Sequence, residues 1–133
     1  MSEYRGGCLC GAVRFRATGT PLFALICHCR DCQRASGSGG VPVLGMPRAG
    51  FTVSGRTQGF ASVGGSGESA VRHRCAACGS LLFGTPAVAP ELVTVYAGSL
   101  DEPERFAPDR AIFVRDRPAW ARLACALAET QTA

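Results

Sequence analysis

A mainly β fold is what this sequence predicts, and three observations carry the expectation. Short apolar stretches alternate with Gly-, Pro- and Ser-rich turns at close intervals, the pattern of packed sheets rather than of βαβ units. Seven of the eight cysteines fall into tight clusters that sit at the ends of those stretches. Helical periodicity, by contrast, is confined to one short segment near the C-terminus.

Taken in order, Ala12–Ala17 alternates apolar and polar residues and reads as a half-buried strand. Leu22–Ile26 is a short apolar run feeding directly into Cys27. Arg30–Ser36 fits one helical turn, ended by Gly37-Ser38-Gly39-Gly40. Further strands are expected at Val41–Met46, Phe51–Ser54, Thr57–Ser62, Ala70–Arg74, Leu81–Phe83, Leu92–Ala97 and Ala111–Val114. The segment Val63-Gly64-Gly65-Ser66-Gly67 lacks the Lys and the following helix of a phosphate-binding loop, so it reads as a hairpin tip. At the end, Asp116 is suited to cap a helix and Pro118 to its first turn. Trp120, Leu123, Ala124 and Leu127 then follow i, i+3, i+4, i+7 spacing, which predicts a short C-terminal helix packed on the sheet.

At 133 residues, with 47% hydrophobic and 18% charged residues, the chain fits one globular domain spanning 1–133. No apolar run approaches the roughly 20 residues that span a bilayer, so no membrane partner is expected. The start, Met1-Ser2-Glu3-Tyr4-Arg5, has no basic-then-apolar leader character, and a cytoplasmic protein is expected. The net charge is +4 and every basic residue is Arg. These arginines are scattered, beyond Arg72/Arg74 and Arg115/Arg117, which argues against a nucleic-acid footprint.

The cysteines point to chemistry. They group as Cys8-Leu9-Cys10, as Cys27-His28-Cys29-Arg30-Asp31-Cys32, as Cys75-Ala76-Ala77-Cys78, and as a lone Cys125. In a reducing compartment, pairs at one- or two-residue spacing read as metal ligands ahead of disulfides. Two thiolates so spaced reach one zinc ion with little loop strain, and Gly11 and Gly79 suit the tight turns that follow. Seven ligands divide into four and three. Cys8, Cys10, Cys75 and Cys78 complete a closed, structural site. Cys27, Cys29 and Cys32 leave a fourth position open, as catalytic zinc sites do. Buried thiols or a redox disulfide are the competing readings. His28 points away from its cysteine neighbours in an extended segment, and His73 lies two residues before Cys75. Both are expected to be packing or hydrogen-bonding imidazoles, and Cys125 a small buried apolar residue.

These residues also carry a resemblance. Gly6–Phe15, Cys27–Gly37 and Arg74–Leu81 are similar, in order and in cysteine spacing, to the glutathione-dependent formaldehyde-activating enzyme family, also called the centromere protein V family. Ala97-Gly98-Ser99-Leu100-Asp101 and Arg117-Pro118-Ala119-Trp120 resemble its later landmarks. Gly39, Gly40 and Val43 stand where relatives often carry bulkier residues, and Ala111 where many carry His. The resemblance implies a β-tent fold, a structural zinc on Cys8, Cys10, Cys75 and Cys78, and a catalytic zinc on Cys27, Cys29 and Cys32. It implies that the thiol of glutathione, or of a similar molecule, binds at the open position with its pKa lowered. That thiol and a small aldehyde form a hemithioacetal, and the reverse reaction breaks a carbon–sulfur bond, which makes the class a carbon–sulfur lyase. Arg30 and Arg34, beside the triplet, are candidates to pair with carboxylates of the thiol. The alternative is a non-catalytic zinc-stabilised binding module, as the centromere-associated relatives suggest.

Overall fold

The computed structural model describes residues 2–122 and 127–132. It is mainly β, as expected. The chain opens with β1 (Ser2–Gly7) and β2 (Arg14–Gly19), then β3 (Phe23–Cys27), a helix α1 of about two turns (Arg30–Ser36), β4 (Val41–Pro47) and β5 (Phe51–Ser54). β6 (Thr57–Val63), β7 (Ser69–Cys75), β8 (Leu81–Pro86) and β9 (Leu92–Tyr96) follow, then β10 (Arg110–Ile112) and β11 (Ala128–Glu129). Two sheets result. The smaller has the order β1-β2-β5, and the larger the order β11-β10-β3-β4-β9-β8-β7-β6. Neighbouring strands are antiparallel except where β10 joins β3 and β11.

The core lies between the sheets. From the smaller sheet come Tyr4, Phe15 and Ala17, and from the larger Leu44, Met46, Leu82, Val93 and Val95, all buried. Period-2 alternation explains which side chains face which way. In β4, Leu44 and Met46 face this core, while Val41 and Val43 point to the opposite side of the large sheet. In β9, Val93 and Val95 face the core, and Tyr96 joins Val41, Val43 and the cysteine triplet on the opposite side. With both faces covered, β4 reads Val-Pro-Val-Leu-Gly-Met-Pro, a nearly continuous apolar run. The far face of the large sheet is where the second cluster of buried side chains gathers.

Local rules hold at the turns. Gly11 and Gly79 adopt positive φ (82° and 77°), the conformation their cysteine turns require and that L side chains rarely take. The glycine-rich segment after β6 is the tip of the β6–β7 hairpin, with Gly64 N–H donating to the Glu68 carbonyl at 2.9 Å. Helix α1 ends on Gly37 at φ 74°, whose N–H donates back to the Gln33 carbonyl.

The C-terminal segment departs from expectation. Instead of one helix from Asp116, the described residues form two single 3-10 turns, Val114–Asp116 and Ala119–Ala121. Arg117 and Pro118 between them are extended, as is Arg122 after them. Proline disfavours helical geometry in the residue before it, and the Asp116 carbonyl is already taken by Gln33 Nε2 at 2.9 Å. Trp120, expected in the core, is 75% exposed. Leu123, Ala124 and Cys125 lie outside the described residues, and Leu127 leads into β11 rather than continuing a helix.

Candidate functional site

The first cysteine cluster joins the two sheets. Cys8 and Cys10 follow β1, and Cys75 ends β7 with Cys78 in the turn to β8. The four sulfurs lie within 4.8 Å of one another. Cys8 and Cys10 are 3.6 Å apart, and Cys10 and Cys75 3.8 Å. Four sulfurs at about 2.3 Å from a tetrahedral zinc would be about 3.8 Å apart, so this donor set fits such an ion. Both turns have the same local chemistry. Cys8 Sγ accepts from Val13 N–H at 3.2 Å, and Cys75 Sγ accepts from Ala77 and Cys78 N–H, each at 3.4 Å. The Ser80 hydroxyl lies 3.1 Å from Cys78 Sγ and brings that thiol down to about 5. Ser80 Oγ also accepts from Leu9 N–H at 3.0 Å, stitching one turn to the other across 71 residues of chain.

The second cluster lies on the far face of the large sheet. Cys27 is the last residue of β3, Cys29 caps α1, and Cys32 sits in its first turn. All three are buried and their sulfurs lie within 4.8 Å of one another. Cys29 Sγ accepts from Cys32 N–H at 3.3 Å, so helix capping and sulfur placement are one event. The three thiols cannot titrate independently. Hydrogen bonds from the Cys27 and Cys32 thiols hold Cys29 far below the ordinary thiol range, and the same contacts together with burial push Cys27 far above it. A buried sulfur triplet that shares negative charge suits a soft cation.

Neither histidine joins a cluster. His28 turns away from the sulfurs and is fully buried, with Nδ1 at 2.7 Å from the Gly39 carbonyl oxygen. His73 stacks on Phe83 with ring centroids 4.5 Å apart, and its Nε2 lies 3.0 Å from Thr85 Oγ1. Both therefore take the packing and hydrogen-bonding roles expected of them. Arg30 and Arg34 are exposed on α1, and Arg30 reaches the Gln33 side chain.

The sequence did not single out the groups around the triplet. Arg72, in β7, is half-buried, with Nη2 3.7 Å from Cys32 Sγ and Nη1 donating to Ser62 Oγ at 2.9 Å. Tyr96 packs in the same buried cluster, and burial raises its hydroxyl to about 12, keeping it a hydrogen-bond donor at neutral pH. Two residues after Arg72, Arg74 donates to the carbonyls of Ala35 in α1 and Gly79 in the other cysteine turn. Cys27 and Cys32 form part of the wall of an open pocket of about 220 Å³ that Arg72 and Tyr96 also line. The only sequence signal for Arg72 is its position in a strand ending at a ligand-type cysteine.

A β protein with two sulfur clusters, one of four and one of three, each able to hold a metal ion and compatible with zinc, is the class that fold and geometry define. Residues 3–116 match the model of the glutathione-dependent formaldehyde-activating enzyme family, and the chain belongs to that family. It is similar to a Halomonas elongata protein that carries the provisional name glutathione-dependent formaldehyde-activating enzyme. The two are 29% identical over 124 residues, covering 89% of this chain and 79% of the relative. A crystal structure of a Rhodobacter sphaeroides protein shares the fold at a TM-score of 0.58 and 20% identity, over 73% of this chain and 87% of the other. Among the described residues, no helix is long and apolar enough to cross a membrane.

Proposed function

We propose that this chain is a zinc-dependent carbon–sulfur lyase that makes and breaks adducts between a glutathione-like thiol and a small aldehyde. One observation carries the reading: three buried cysteines converge beside a pocket, while four others form a separate, complete set. Cys8, Cys10, Cys75 and Cys78 hold a structural zinc, and Cys27, Cys29 and Cys32 hold the reactive one. A zinc ion on three thiolates supplies a Lewis-acidic position that favours the thiolate form of an incoming thiol.

The chain's own residues do the rest. Arg72, beside Cys32, offsets the negative charge that accumulates on the sulfurs. The Tyr96 hydroxyl faces the pocket as a donor toward the substrate oxygen. In the breakdown direction the carbon–sulfur bond opens with its electron pair moving to sulfur, and the adduct's hydroxyl proton passes through water to that sulfur as the carbonyl forms, returning free thiol and aldehyde. Arg30 and Arg34, exposed at the edge of α1, are placed to attract carboxylates of the thiol. One domain spanning 1–133, working in the cytoplasm, is part of the same reading.

The test is exchange between glutathione, formaldehyde and their adduct, followed by NMR with wild type and Cys29→Ser. Wild type should accelerate exchange over buffer with free zinc, and Cys29→Ser should stay folded, lose one zinc of two and lose the acceleration. Equal rates for wild type, variant and buffer would remove the lyase reading and leave a zinc-stabilised binding module.

A further inference from the structure

The pocket beside the triplet is larger and more apolar than a one-carbon aldehyde requires. Its wall is almost wholly hydrocarbon: Phe23 and Leu25 from β3, Val43 from β4, Pro86 from β8 and Ile112 from β10. Alternation places Phe23, Leu25 and Cys27 on one face of β3, so the strand that delivers a sulfur also delivers the apolar wall. Gly84 lets β8 pack tightly on β9 at the floor, since a Cβ there would lie 2.5 Å from Thr94 Oγ1 and 3.3 Å from the Tyr96 hydroxyl. The one cation in the lining, Arg72, already contacts Ser62 and Cys32, and a single guanidinium is a poor match for the two carboxylates of glutathione. A cavity of about 150 Å³ lined by Leu, Ile and Phe holds benzene. At about 220 Å³, this pocket exceeds the needs of a single carbon several times over.

We propose that this pocket takes the hydrocarbon substituent of the aldehyde half of the adduct, so that the substrate class is medium-chain aliphatic or aromatic aldehydes of roughly four to eight carbons. The polar thiol half then lies at the mouth of the pocket, with its sulfur at the triplet. This inference rests on the lyase reading for the sulfur chemistry and on the pocket alone for the choice of aldehyde.

Two measurements separate those foundations. The first follows breakdown of the glutathione adducts of formaldehyde, butanal and hexanal by the zinc-loaded protein. The second, independent of any activity, measures binding of ethanol, butanol and hexanol by protein NMR. Each added methylene should tighten alcohol binding about three- to fourfold until the pocket is full, and kcat/KM for the adducts should rise with chain length. Ala70→Phe projects a ring into the pocket from β7 and should flatten the chain-length gradient, with Ala70→Leu intermediate. Should either variant misfold, the wild-type gradient alone decides. A preference for the formaldehyde adduct with no gradient among the alcohols would overturn the proposal and leave the lyase reading standing. A gradient without breakdown of any adduct would support the apolar ligand class and remove the lyase reading. The absence of both would overturn both.

Discussion

The four-cysteine cluster makes a quantitative prediction about stability. A zinc ion held there would link residues 8–10 to 75–78, and Cys10 and Cys75, whose sulfurs are 3.8 Å apart, are separated by 65 positions in sequence. Closing a loop of that length in the unfolded chain removes entropy equivalent to about 4 kcal/mol at 25 °C. A domain of this size is stabilised by about 5–15 kcal/mol in all, so the link is a large share of the total. The double variant Cys75→Ser/Cys78→Ser takes away one whole arm of the cluster and uncouples the sheets. With an unfolding entropy of roughly 2.1 cal/mol/K per residue, 4 kcal/mol corresponds to a fall in Tm of about 15 °C. The assay is calorimetry at saturating zinc, with metal content measured on the same samples. Cys29→Ser is the control, because the triplet spans only Cys27 to Cys32 and closes almost no chain. A double variant melting within about 3 °C of wild type, or a Cys29→Ser variant whose Tm falls by the same amount as the double variant's, would refute a stabilising link between these segments.

Three further outcomes follow. Leu82→Ala, at a fully buried position between the sheets, should cost about 2–5 kcal/mol in urea unfolding while zinc content is kept; a loss below 1 kcal/mol would contradict the packing described. Arg72→Gln removes a charge-assisted contact worth about 1.5–3 kcal/mol, so adduct exchange should slow by roughly 10- to 100-fold with both zinc ions retained; unchanged rates would show that Arg72 does not serve the sulfurs. The Arg14 side-chain hydrogen bond holds the Asp101 carboxyl below its ordinary 3.8, so its small, solvent-screened contribution is present above that value and lost as pH falls through the lower folded value. Asp101→Asn should therefore lower stability slightly at neutral pH and converge with wild type under strong acid, and a constant difference across the acid range would refute the pairing.

Much of this was legible in the sequence because it depends on local chemistry. Ligand spacing needs only a turn, so both sulfur clusters could be read from Cys-x-Cys and Cys-x-x-Cys alone. Helix α1 coincides with the predicted Arg30–Ser36, since the Cys29 cap and Gly37 stop are written within ten residues. What escaped was whatever depends on a distant partner. β1 ends in Gly6-Gly7, poor strand formers, yet a Cβ on Gly6 would sit 2.3 Å from the Ser99 carbonyl oxygen and 2.4 Å from the Phe15 ring. The glycine is there because of contacts made elsewhere in the chain. β11 has two residues and exists only because β10 offers an edge. The C-terminal stripe of apolar residues looked helical, but Pro118 and the capture of the Asp116 carbonyl by Gln33 weigh more. For Arg72, period-2 alternation specifies two faces without saying which one meets the triplet.

With an ion in each cluster, as proposed above, strand β7 would also set the order in which the two are lost. Within four consecutive residues it touches Cys32 through Arg72, α1 and the neighbouring cysteine turn through Arg74, and the four-sulfur cluster through Cys75. An ion leaving the triplet would vacate a pocket whose walls remain pinned from behind. An ion leaving the other cluster would release the end of the strand that carries Arg72 and slacken the walls as well. Failure would thus be nested, and under the proposed zinc chemistry a zinc-starved molecule would lose activity while still folded and able to recover on re-supply. That sequence holds as long as the weaker, three-ligand site empties first.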